Sequence, residues 1–136
     1  MNDVGTAAAL AGNVIGGEHS AFVIAEWRDA GGATDPPRLI APLHTHHKDD
    51  EAWYVLEGAL RVRRGDEVVE ASAGSAVFVA RGTPHTYWNA VAGPTRYLLV
   101  MTPRIHALIR AIHALTERTP DRMQDLFRQY DSELLA

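Results

Sequence analysis

Hydrophobic and polar positions follow two different rhythms along the chain. From about residue 21 to 102, short β-prone runs are cut by turn residues; from Pro103 onward the apolar positions recur at helical intervals. Ala21–Arg28 (AFVIAEWR) predicts a strand that ends before the Gly31-Gly32 pair and the Asp35-Pro36-Pro37 break. Arg38–Leu43 and Glu51–Glu57 (EAWYVLE) follow, the latter stopping at Gly58. In Leu60–Arg64, Leu60 and Val62 alternate with Arg61 and Arg63, the pattern of a half-buried strand. Gly65-Asp66 predicts a tight return into Glu67–Ala71. Ala76–Ala80, Thr86–Ala90 and Arg96–Met101 complete a set of short strands that suits a barrel or sandwich. No helical pattern lies between them, which argues against a doubly wound α/β fold.

The tail from residue 103 to 135 predicts two helices. Thr102-Pro103 and Thr119-Pro120-Asp121 are both start signals, a capping hydroxyl followed by proline at the first helical position. Ile105, Leu108, Ile109, Ile112 and Leu115 form one apolar stripe; Met123, Leu126, Phe127, Tyr130 and Leu134 form a second. The short join predicts a helix pair that packs on the barrel or on a second subunit, or forms a lid that brings Phe127 or Tyr130 to a ligand.

Composition narrows the function classes. A chain of 136 residues suits one domain with one core. Thirteen basic and 17 acidic residues leave a net charge of -4, which argues against nucleic acid as a partner. Arg61, Arg63 and Arg64 read as a solvated strand face, and Asp29–Pro37 as a turn and not a phosphate-binding glycine loop. The absence of cysteine excludes disulfides, thiolate ligands and cysteine nucleophiles. Met1–Ala11 lacks a basic leader and reads as a frayed start. No run approaches the roughly 18 apolar residues of a membrane helix, so the expectation is a cytoplasmic protein without a membrane partner.

The candidate chemistry lies in four residues. His44 and His46 are two apart, so on an extended strand both rings leave one face. Glu51 begins the next strand after the turn at Lys48-Asp49-Asp50, and His85 follows Pro84 at the start of a later one. Three nitrogens and one carboxylate suit one divalent transition ion per chain: Fe, Mn, Zn, Ni or Co. The opposite parity of His47 sends it outward.

Residues 44–58, HTHHKDDEAWYVLEG, resemble the first motif of the cupins: two histidines, a glutamate and a closing glycine. Residues 74–89, GSAVFVARGTPHTYWN, are similar to the second, with Gly74, Gly82, His85 and Asn89 in place and Ala80 where proline is usual. The short gap from Gly58 to Gly74 resembles that of small bacterial single-domain members, including the quercetin-dioxygenase-like group. The resemblance implies an all-β double-stranded β-helix (jelly roll), often dimeric, with His44, His46, Glu51 and His85 as metal ligands. The sequence thus predicts a single domain, its barrel at about 21–102 and a C-terminal helix pair at about 103–135.

Alternation from Glu51 sends Trp53 and Val55 inward; alternation from His85 does the same for Tyr87 and Asn89. These four are the expected wall of a small-molecule pocket, with Glu51 and Tyr87 as catalytic candidates. Phe22, Trp27 and Phe78 are core or interface candidates. Tyr54, Leu56 and Trp88 point outward, and their burial by a second copy would make a homodimer. Three functions remain open: oxygenation of an aromatic or carbonyl-containing substrate by a dioxygenase; non-redox cyclase, isomerase or lyase chemistry; and binding of a small ligand without turnover. No motif selects a substrate.

Overall fold

The computed structural model describes residues 10, 13–32 and 34–135; the expected frayed start lies outside this range except for Leu10. Two five-stranded antiparallel sheets face each other. The first runs β1 (Val14–Ile15), β2 (Val23–Asp29), β9 (Thr95–Met101), β4 (Glu51–Glu57), β7 (Ala76–Val79). The second runs β10 (Ser132–Leu134), β3 (Ala41–His46), β8 (His85–Asn89), β5 (Ala59–Arg64), β6 (Glu67–Ser72). This is the expected jelly roll. Strands adjacent in sequence mostly alternate between sheets, so the two motifs, distant in sequence, meet in one interior.

Period-2 alternation decides which residues enter it. Val23 and Ala25, Trp53 and Val55, and Tyr97, Leu99 and Met101 fill it from the first sheet; Leu60, Val62 and Tyr87 fill it from the second. Gly58 permits the sharp passage from β4 to β5. It has φ +81, and a Cβ there would stand 2.8 Å from the Pro94 carbonyl oxygen. On the outer face, Tyr54 and Phe78 are exposed, while Leu56 and Trp88 are half-buried. Phe22 and Phe78 are excluded from the core, being 56% and 54% exposed.

Both helix starts lie where the sequence puts them. Thr102 caps α1 (Pro103–Ala114) and Thr119 caps α2 (Pro120–Gln129), each hydroxyl accepting a backbone N–H. The ends differ. Helix was expected to run through Leu134, but Asp131 takes φ 53 and the next three residues become β10. The reason is tertiary: β10 pairs with β3, placing Ser132 opposite His46 and Leu134 opposite His44. Arg104 on α1 pairs with Asp131 at 2.7 Å and reaches Asp49 at 3.6 Å, tying the junction to the β3–β4 turn. Among the described residues, no helix is long and apolar enough to cross a membrane.

Candidate metal centre

His44, His46, Glu51 and His85 are buried together, and one ligand atom from each lies within 4.8 Å of all the others. β3 supplies two, β4 and β8 one each. The pairing of His44 with His85 across β3 and β8 sets two rings side by side, 4.3 Å between centroids. The Nε2 atoms of His44 and His46 are 3.1 Å apart. Glu51 Oε1 lies 2.5 Å from His85 Nε2 and 3.5 Å from His46 Nε2. His47 is turned away, beside Glu133 at 3.7 Å and half-exposed.

Each ring is oriented from behind. The Nδ1–H groups of His44 and His85 donate to the carbonyls of Pro42 (2.5 Å) and Thr83 (2.8 Å). His46 donates its Nδ1–H to Ser132 Oγ at 2.7 Å, and that hydroxyl gives its own proton to the Tyr130 carbonyl. These acceptors orient the rings so that all three turn Nε2 inward, and the close approach of Glu51 to His46 and His85 then calls for a proton or a cation between the carboxylate and Nε2. Three lone pairs and a carboxylate at such separations repel unless positive charge sits among them. The donor set therefore fits a divalent ion of the kinds expected, taking nitrogen and oxygen ligands.

Burial of Glu51 alone would raise its carboxyl, but hydrogen bonds and charge from His46 and His85 outweigh this and lower it to about 2. His44 is held down to about 3 by burial, then by the proximity of His85 and His46. The signs agree. Unfolding lets His44 take a proton below its ordinary 6.5 and Glu51 below its ordinary 4.5, while the folded groups resist down to about 3 and about 2. Metal-free protein is therefore expected to lose stability as pH falls from about 6.5 towards 3. Urea midpoints at pH 7 and pH 4 measure this; equal midpoints would contradict it.

The cluster opens onto a cavity of about 330 Å³. Trp53 and Tyr87 line it as expected, together with Trp27, Tyr97 and Leu99. Ile105, Leu108, Ile109, Ile112, Met123 and Phe127 from the helices roof it, with His113 and Arg118 at the rim. Phe127 meets His44 edge-on, 5.5 Å between ring centroids. Two expected wall residues are elsewhere. Val55 has no exposed surface and belongs to the packed core. Asn89, at the end of β8, holds the following turn through Asp29, the Gly93 carbonyl, the Val91 N–H and Thr95.

Ser132 escaped the sequence reading because its partner is 86 residues away. Tyr97 was within reach of it, since alternation along β9 sends Thr95, Tyr97, Leu99 and Met101 inward. Replacing Ser132 with alanine removes the acceptor behind His46. Metal affinity is expected to fall roughly 10- to 100-fold with the fold intact. Competition with a chromophoric chelator reads this; an unchanged affinity would mean that the ring is held by something else.

Comparison with known proteins agrees with this architecture. The model of the cupin domain matches residues 33–101. No curated protein matches the sequence significantly. The TT1209 protein of Thermus thermophilus is 29% identical, with TM-score 0.52 over 61% of this chain and 73% of that one. A sugar phosphate isomerase of the cupin superfamily from Silicibacter pomeroyi is 26% identical, with TM-score 0.52 over 61% of this chain and 51% of its own. A cupin protein from Bacteroides fragilis, 17% identical, shares the fold over 74% of each chain with TM-score 0.52. The matched segment contains all four grouped side chains but stops before the helices and β10 that roof and brace them. Since it spans half of the sequence, this chain belongs to the cupin domain family.

Proposed function

We propose that the protein is a metal-dependent dioxygenase acting on a small organic molecule with an aromatic or otherwise apolar body. The observation that carries this reading is the cavity: the His/Glu cluster is its polar end, and the surfaces leading to it are aromatic and aliphatic. A bound divalent ion would supply a Lewis-acid centre and, if redox-active as Fe(II) is, a means of bringing O2 into reaction. Both oxygen atoms would enter the product, so no further reductant is required.

The chain's own groups have separate tasks. Glu51 Oε1 makes both histidine contacts, leaving Oε2 to accept a proton from a substrate O–H or C–H. Burial raises the Tyr87 hydroxyl well above its ordinary 10, so it acts as a hydrogen-bond donor and not a base. The helices cover one side of the cavity with apolar side chains, and the reduced contact with water strengthens polar contacts beneath them.

A second reading, non-redox isomerisation, is favoured by the similarity to a sugar phosphate isomerase. The lining weighs against it, because sugar hydroxyls need many polar partners, and away from the His/Glu cluster the walls offer few: the Tyr87 and Tyr97 hydroxyls and the charged groups Arg28, Asp29 and Arg118. Fe(II)-loaded protein is expected to consume O2 when catechol or enolic probes are added. Conversion under argon by Zn(II)-loaded protein, with no O2 uptake by the Fe(II) form, would replace the oxygenase reading with the second.

A further inference from the structure

The cavity has a second polar locus that the metal cluster does not use. Trp53 is 1% exposed, and its indole Nε1–H makes no hydrogen bond, although the Tyr87 hydroxyl lies close enough to feel it. The Tyr87 and Tyr97 hydroxyls share one hydrogen bond at 2.9 Å. Only one of the two protons serves that bond. Whichever ring donates, the proton on the other has no protein acceptor among the described residues. At least one donor proton is thus left without a partner beside a ligand-sized space, and the Trp53 N–H is only loosely held against Tyr87, a cost that a bound acceptor removes.

We propose that Trp53, Tyr87 and Tyr97 form an oxygen-binding subsite, so that the cavity selects single-ring ligands with a chelating head for the His/Glu cluster and a carbonyl or carboxylate oxygen for these donors. The inference rests on the metal-dependent reading above and specifies its substrate class. The spacing supports it. The Trp53 ring centroid lies 6.0 Å from that of His85 on one side and 5.1 Å from that of Tyr87 on the other; Tyr97 follows at 5.7 Å from Tyr87. The three rings thus run as one contiguous series outward from the cluster along the cavity wall. Leu99 and the α1 side chains Ile105, Leu108 and Ile109 offer apolar contact to the ligand's body. Burial raises both hydroxyls, that of Tyr97 to about 12, so both remain donors at neutral pH.

Two probes differing at one position test this with Zn(II)-loaded protein, where redox turnover is absent. 3,4-Dihydroxybenzaldehyde carries the chelating head and an acceptor oxygen; 4-methylcatechol carries the head alone. Their affinities are measured by calorimetry for the parent and for Tyr87→Phe/Tyr97→Phe, which removes only the two oxygens. The aldehyde's greater acidity affects both proteins alike and cancels in the comparison. The ratio of the two affinities, aldehyde over 4-methylcatechol, is expected to fall about tenfold or more in the variant. An unchanged preference overturns the subsite. So does a parent that holds Zn(II) but binds neither probe. Failure of the parent to bind Zn(II), read first, would sink the metal-dependent function instead. Should the double variant unfold, the single Tyr97→Phe and Trp53→Phe variants carry the same ratio test, with a smaller loss expected in each.

Discussion

Alanine at His44 or His85 is expected to empty the metal site. Parent protein purified without added metal should carry about one transition ion per chain by elemental analysis, and either variant close to none. The expectation follows from the donor geometry. His44 Nε2 lies 3.1 Å from His46 Nε2, and His85 Nε2 lies 2.5 Å from Glu51 Oε1, so each ring is an immediate member of the group. Removing one leaves three donors, one of them a buried carboxylate with less compensating charge around it. An affinity loss exceeding about 100-fold is expected, beyond that for a supporting residue. Glu51→Ala should behave similarly. His47→Ala should keep its metal, since that ring faces Glu133 at the surface. Full metal content in both His44→Ala and Glu51→Ala would dismiss the cluster as a metal centre.

Phe127→Ala should give the largest loss of stability among single changes outside the barrel. Phe127 is 2% exposed, though it belongs to a helix most of whose residues face solvent. Its ring closes the cavity over His44, so alanine leaves a void beside a polar group instead of a gap that neighbouring side chains can fill. Truncation of a buried phenylalanine costs about 3–5 kcal/mol. Urea unfolding of metal-free protein measures the loss, with Phe78→Ala, an exposed ring, as the near-neutral control. A loss below about 1 kcal/mol would show that α2 is not seated over the site.

The barrel was legible because one rule, alternation, governs most of it. From Glu51 it assigns Trp53 and Val55 correctly to the interior, and from His85 it assigns Tyr87. It says nothing about depth, which is why Val55 proves to be core and not cavity wall. It also fails where a strand ends: Asn89 has inward parity, but its amide is spent on the turn it enters. The metal cluster was legible for a different reason. Glu51 and His85 start strands, His46 ends one and His44 stands two residues before it on the same face, positions marked by proline, a short acidic turn and the HTH spacing, all local signals.

The rear of the site was not legible. Leu134 fits the helical stripe begun by Met123, and nothing in that segment announces a strand. What converts it is an edge: His47 N–H donates to the Asp131 carbonyl and Leu135 N–H to the Leu43 carbonyl, bonds that exist only once β3 is in place. Such partners are chosen by tertiary proximity, which local periodicity does not encode.

That added strand constrains how the molecule can breathe. Peeling β10 from β3 to admit a ligand would take Ser132 from His46 in the same movement, loosening the cation whenever the cavity opened. Solvent-facing residues of the lining lie away from that edge, His113 and Arg118 near the join of α1 and α2 and Arg28 at the end of β2, so the cavity can be reached with the C-terminal edge shut. An ion held by the four side chains would then be released only when the β3–β10 edge itself came apart.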